Sequence, residues 1–231
     1  MNTLGIVGGL GPESTVDYYR SIITLFRERT HNAGYPHIII DSLDVDEGIR
    51  LVETEDWKRL TEYLAEGFRR LAAAGADFGL MAANTPHIVF DGVRQHSSLP
   101  IISIVEATCS EVQRRGLKKV GLLGTGFTMG GRFYPEVFER SGIGLVPPSP
   151  EERAYIHEKY LGELLRGTFL PETREWLLEI IATLKRRDDV EAVVLAGTEL
   201  PLILRADSAS GIPLLDTTQI HVRAAVEAIL A

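Results

Sequence analysis

The sequence predicts an α/β protein built from two similar, doubly wound domains with parallel sheets, related by a pseudo-twofold axis. Two observations carry that expectation. Short apolar runs of strand length alternate with amphipathic stretches of helix length along the whole chain, the pattern of right-handed βαβ units whose sheets are covered on both faces. The chain also repeats itself. "GIVG" at 5–8 and "GLLG" at 121–124, "AANT" at 82–85 and "AGTE" at 196–199, and "LPIIS" at 99–103 and "IPLLD" at 212–216 stand in order at offsets of 116, 114 and 113 residues. The length of 231 residues accommodates one large domain or two of about 100–120 residues with proper cores. The repeat favours two, the first spanning 1–106 plus 214–231 and the second 107–213.

The elements follow in order. "TLGIVGG" (3–9) is an apolar run stopped by glycines, hence a buried strand. "STVDYYRSIITLFRER" (14–29) carries apolar residues at helical spacing, with Ser14 as its expected cap. "HIIIDSL" (37–43) reads as a strand, and "WKRLTEYLAEGFRRLAAAG" (57–75) as an amphipathic helix closed by Gly75. "DFGLMAA" (77–83), "PIISIV" (100–105), "KKVGLLG" (118–124), "EAVVLAG" (191–197) and "IPLLD" (212–216) are further strands. "REWLLEIIATLKRR" (174–187) is one of the helices between them.

Composition narrows the function. A net charge of −8 argues against a nucleic-acid backbone as partner. No run is long enough to cross a bilayer, and the N-terminus enters a strand directly, so a cytoplasmic protein without membrane association is expected. The single cysteine, Cys109, rules out an intrachain disulfide and a Cys-rich metal site. Asp41, Asp44, Asp46 and Glu47 lack metal-binding spacing. "GGLGP" at 8–12 completes neither a dinucleotide fingerprint nor a phosphate-binding loop. No cofactor and no metal are therefore expected. In open α/β sheets, ligands bind beyond the carboxyl ends of the strands, so loops 8–12, 83–87, 124–128 and 197–201 are expected to line one interdomain cleft.

"LGIVGGLGPEST", "AANTPH", "VGLLGTGFTM", "AGTELP" and "LLDTTQIH" together resemble the aspartate/glutamate racemase family, over essentially the whole chain and in the family's order. The resemblance implies two similar α/β domains with the active site between them. It also implies an isomerase that needs no pyridoxal phosphate, and possible homodimers. It implies a proton removed from one face of an amino acid's α-carbon and returned on the other by two cysteines, one in each strand-end loop. Here those positions hold Ala83 and Gly197, and neither can carry a proton. Cys109 lies in a helix-like stretch outside both loops. Family precedent for a threonine in the first loop covers only the first of the two absences.

The remaining polar groups give the candidate site. Glu199 is the ionisable side chain nearest either empty position and, with Thr198, the candidate for acid–base work; burial would raise its pKa towards neutrality, as a base requires. Asn84, Thr85, Thr125, Gly126, Thr128 and Thr198 are candidate donors to a substrate carboxylate. Gly9, Leu10 and Gly11 form a loop whose backbone approaches a small anion, and His157 is a candidate cleft residue. His87 is a weaker candidate base. Asp46 lies where family members grip a distal carboxylate with basic residues, and an acidic side chain there repels a second carboxylate. A small amino or hydroxy monocarboxylate with a polar or cationic tail is as plausible a ligand as aspartate or glutamate.

Three readings follow: an enzyme of this scaffold with different acid–base groups, a non-catalytic amino-acid-binding or regulatory protein, and an inactivated variant.

Overall fold

Every residue of β1 (Leu4–Gly8) is buried, as expected of an apolar strand with both faces covered. The computed structural model describes the whole chain, Met1–Ala231. From β1 the chain passes through α1 (Pro12–Arg29), β2 (Ile38–Ser42), α2 (Val45–Glu53), α3 (Trp57–Ala73) and β3 (Phe78–Met81). A 3-10 turn at Thr85–Val89 then leads into α4 (Phe90–His96) and β4 (Ile101–Ile102). Next come α5 (Ile104–Arg114), β5 (Lys119–Gly124), α6 (Gly126–Gly130), α7 (Phe133–Arg140), β6 (Gly144–Val146), α8 (Pro150–Gly162) and α9 (Pro171–Asp188). The chain ends with β7 (Ala192–Ala196), α10 (Leu200–Leu204), β8 (Ser208–Ala209), β9 (Ile212–Asp216) and α11 (Thr217–Leu230). It divides into two units, Met1–Ile104 with Thr218–Ala231, and Val105–Thr217.

The first unit holds a parallel sheet in the order β2-β1-β3-β4. Alternation along the strands sorts side chains between its faces. Leu4, Ile6, Phe78, Leu80 and Ala82 pack with Tyr18, Ile22 and Phe26 of α1 and Val222, Ala225, Val226 and Ile229 of α11. Fully burying each large side chain of this set is worth about 1.5–3 kcal/mol. On the other face small residues admit α3: a Cβ at Gly79 would lie 2.7 Å from a ring carbon of Phe68.

The second unit holds β6-β5-β7-β9-β8, parallel except for β8, which runs antiparallel to β9. Setting β8 aside, the strand order repeats that of the first unit, the topological counterpart of the sequence repeat. Leu123, Val193 and Leu195 pack with Ile156 and Tyr160 of α8 and with Leu177, Ile180, Ile181 and Leu184 of α9. No helix is long and apolar enough to cross a membrane.

Three local expectations change. Helix α1 begins at Pro12 rather than after Ser14, because proline's fixed φ suits the first helical position. Ser14 is instead buried inside the helix and donates to the Ala82 carbonyl at 2.9 Å. The expected strand 100–105 pairs only at Ile101 and Ile102, since Ile104 already opens α5. The second crossing between units falls at Thr217/Thr218, later than the expected 213/214, because β9 is hydrogen-bonded to β7 and stays with the second sheet.

Candidate functional site

The candidate residues are positioned by strand ends, so each unit is taken in turn. In the first unit, β1 stops at a left-handed backbone that favours glycine. Gly9 has φ +78, and a Cβ there would sit 2.1 Å from the Leu43 carbonyl oxygen. The Gly9 N–H donates to Thr15 Oγ1 at 2.8 Å, and that hydroxyl donates to the Gly11 carbonyl at 3.1 Å. Gly9 and Gly11 are buried and Leu10 is half-buried. After β2, Asp44 caps α2 by accepting from the Asp46 N–H at 2.9 Å. Asp46 itself is exposed in the first helical turn, where a carboxylate complements the helix dipole.

The loop after β3 buries Ala83 and Asn84 and half-buries Thr85. Its histidine is fixed by the fold. Nδ1 of His87 lies 3.1 Å from the Ala83 carbonyl, and Nε2 accepts from the Ile104 N–H at 3.3 Å. That pattern assigns the neutral ring with its proton on Nδ1. The ring stacks on Phe90 with centroids 4.9 Å apart. Burial, then the nearby His221, drives the His87 pKa down to about 3. His221 is treated alike: Nδ1 faces the Tyr18 hydroxyl at 2.9 Å, Nε2 faces the Ile102 carbonyl at 3.1 Å, and burial lowers it to about 4. With both nitrogens of each ring engaged, neither histidine is a base at neutral pH.

In the second unit, β5 is followed directly by Thr125. Its Oγ1 accepts from the Thr128 N–H at 3.2 Å and lies 3.1 Å from the Thr128 hydroxyl, so buried Thr125 caps α6 and holds the buried Thr128 in its first turn. The Gly126 N–H donates to Nδ1 of His157 at 3.1 Å, and the half-buried imidazole stands edge-on to Phe127. His157 therefore comes together with the 125–128 loop, as an acceptor for its backbone.

The loop after β7 is different in kind. Thr198 and Glu199 are 3% and 1% exposed, and one carboxylate oxygen of Glu199 takes two side-chain donors. Tyr160 of α8 donates its hydroxyl to Glu199 Oε2, and Thr198 Oγ1 donates to the same oxygen at 2.9 Å. The Glu199 N–H points back to the Tyr160 oxygen at 3.4 Å. Burial, and then the negative charge of Glu199, hold the Tyr160 phenol well above its ordinary pKa, so it remains a proton donor at neutral pH. Gly197 is what makes room: a Cβ there would lie 2.5 Å from Cε2 of Tyr160 and 2.9 Å from its hydroxyl. No group of three or more His, Cys, Asp or Glu side chains is arranged to hold a metal.

Sequence reasoning missed Tyr160. The available signal was an aromatic on the apolar face of 150–162, but nothing in the sequence joins that helix to residue 197.

The family described as Asp/Glu/hydantoin racemase matches residues 7–225. A Yersinia pestis protein designated a candidate Asp/Glu racemase superposes over the full length of both chains with a TM-score of 0.90 and 31% identity. An aspartate racemase homologue from Pyrococcus horikoshii OT3 does so over both full chains with a TM-score of 0.85 and 35% identity. A broad-specificity amino-acid racemase of Bacillus subtilis strain 168 is 23% identical over 99% of this chain and 98% of its own.

Proposed function

Since the chain belongs to the Asp/Glu/hydantoin racemase family, we propose that it catalyses proton transfer at the α-carbon of a small amino or hydroxy carboxylate, with its acid–base chemistry concentrated in the loop after β7. The observation that carries this reading is the buried Glu199 carboxylate with two hydroxyl donors on one oxygen. A proton-transfer site needs a titratable group held in fixed geometry away from bulk water. Glu199 acts as the base and Thr198 orients it.

The positions that carry thiols in the resemblance hold Ala83 and Gly197, so the acid–base group of this chain is a carboxylate rather than a thiolate. Asn84, Thr85, Thr125 and Thr128 supply donors for the substrate carboxylate; Gly126, whose N–H is held by His157, shapes its loop, and the Gly9–Gly11 backbone completes the binding loops. That the loops of both units serve one substrate is carried over from the resemblance; Asp46 is a departure from the family's basic residues, and its negative charge disfavours a second carboxylate. Ligands are therefore sought first among monocarboxylates with polar or cationic tails. The broad specificity of the Bacillus subtilis relative supports testing a wide panel.

The same hydrogen bonds favour a second reading, a non-catalytic amino-acid-binding protein in which Glu199 braces its loop. One experiment separates them. Incubation in deuterated water with a panel of L- and D-amino acids and 2-hydroxy acids is followed by proton NMR of the α-hydrogen, alongside thermal melting with each compound. Loss of an α-proton signal above the buffer control supports catalysis. A compound that raises the melting temperature without any exchange supports the binding protein.

A further inference from the structure

The Gly197 position in β7's loop is filled by another residue's side chain. A Cβ on residue 197 would fall within 2.5–3.0 Å of Cε2, Oη and Cζ of Tyr160. The phenol from α8 thus occupies the volume into which a side chain at 197 would project. Its hydroxyl is hydrogen-bonded to Glu199 rather than to a backbone carbonyl, although the ring belongs to the apolar core of the second unit. An ordinary core aromatic needs no carboxylate, and an ordinary bracing glutamate needs no glycine opposite it.

We infer that Tyr160 of α8 is the proton-carrying residue beside the second loop, standing in for a side chain at 197 and backed by Glu199 as the base. The inference rests on the proton-transfer reading given above and deepens it by naming the group that meets the α-carbon.

The step balances without any co-reactant. Oη of Tyr160 takes the α-proton while its own proton passes to Oε2 of Glu199. The Cα–H bond and the old phenolic O–H bond break, and new O–H bonds form on Tyr160 and Glu199. The electron pair remains on the substrate as a carbanion. In the reverse step Glu199, having exchanged its proton with solvent, returns it through Tyr160. Thr198, donating to the same carboxylate oxygen, orients Glu199 toward the phenol. Gly197 is required because any side chain there would displace the ring.

The test is α-proton exchange in deuterated water across the amino-acid panel, with wild type and Tyr160→Phe side by side and ligand binding followed by thermal shift. Tyr160→Phe keeps the ring that fills the core and removes only the hydroxyl. It is expected to lower the exchange rate by about 100-fold or more, the scale for losing a proton-transferring group, with the ligand-induced thermal shift retained. Should that variant not fold, site-specific 3-fluorotyrosine at 160 keeps both ring and hydroxyl while making the phenol more acidic. The basic limb of the pH–rate profile is then expected to move to lower pH.

Wild-type exchange with Tyr160→Phe within about threefold of it, or an unmoved profile with 3-fluorotyrosine, overturns the role of Tyr160 and leaves the proton-transfer reading standing. A wild type that exchanges no member of the panel overturns that reading, and this inference with it.

Discussion

The loops after β3 and β7 occupy the same place in the two units, each following the third strand of its sheet, yet they treat their titratable groups in opposite ways. After β3, His87 is locked neutral between the Ala83 carbonyl and the Ile104 N–H, and its partner His221 is locked between Tyr18 and Ile102. After β7, a carboxylate is buried with a phenol and a hydroxyl converging on one oxygen. The first arrangement satisfies every polar atom of its ring and leaves it nothing to exchange. The second keeps a proton between two groups that can trade it. Loops at equivalent strand ends can therefore hold their titratable groups in opposite ways, and strand-end position alone does not decide how such a group is held.

The largest effect expected of this contrast is acid sensitivity in the first unit. His87 has a folded pKa near 3 against about 6.5 when unfolded. The unfolded chain then takes the proton first, and stability that is complete above about pH 6.5 is lost as pH falls towards about 3. The shift corresponds to an upper bound of roughly 5 kcal/mol for His87, and His221, lowered to about 4, adds in the same direction. Urea unfolding at a series of pH values from neutral to acid should show this fall, and His221→Gln should make it shallower by removing the smaller of the two contributions. A profile already flat in the wild type would mean that the first loop is not sealed as described.

Next comes the base of the second loop. Glu199→Gln keeps the shape and the Thr198 donor but not the basicity, and should lower turnover by about 100-fold or more, some 2.7 kcal/mol of activation free energy. If Glu199 only braces the loop, melting falls by the equivalent of about 1–3 kcal/mol instead and ligand affinity drops with it.

Gly197→Ala probes the same loop sterically. Gly197 is not among the glycines with positive φ, so its backbone tolerates a side chain and the obstacle is the Tyr160 ring. Overpacking of this kind costs about 1–3 kcal/mol. The cost should shrink in a Tyr160→Ala background, a non-additivity that a double-mutant cycle reads directly. Equal costs in both backgrounds would mean that the ring is not what fills the space. The smallest effect belongs to the first loop's support: Ser14→Ala removes the bond to the Ala82 carbonyl and should lower stability by about 1 kcal/mol with exchange unaltered.

Much of this architecture was legible in the chain. The strand–helix alternation and the repeat of "AANT" in "AGTE" anticipated two sheets with one strand order, because apolar periodicity and post-strand glycines are local signals. Gly75 closing α3 was legible for the same reason, and its φ of +95 is the left-handed geometry that such a helix end adopts. Ser14 was misplaced because the proline signal two residues earlier outweighs a serine cap. The candidate site was half legible. Glu199 could be named from its motif, but the phenol opposite it comes from α8, 39 residues away, and no spacing rule couples a glycine after one strand to a tyrosine on a distant helix. His87 read as a possible base because sequence shows a titratable ring and not the two backbone groups that neutralise it.

The central proposal, that proton handling resides in the second unit alone, at the loop after β7 and the α8 phenol against it, is tested most directly by the stereochemistry of exchange. A single enantiomer of an accepted amino acid is incubated with the protein in deuterated water, and both enantiomers are separated at early times and analysed for deuterium. One-sided chemistry predicts deuterium in the recovered starting enantiomer, with configuration retained, before the opposite enantiomer accumulates. Deuterium confined to the inverted product, with the starting enantiomer unlabelled, would contradict it and require a second proton-carrying group in the first unit.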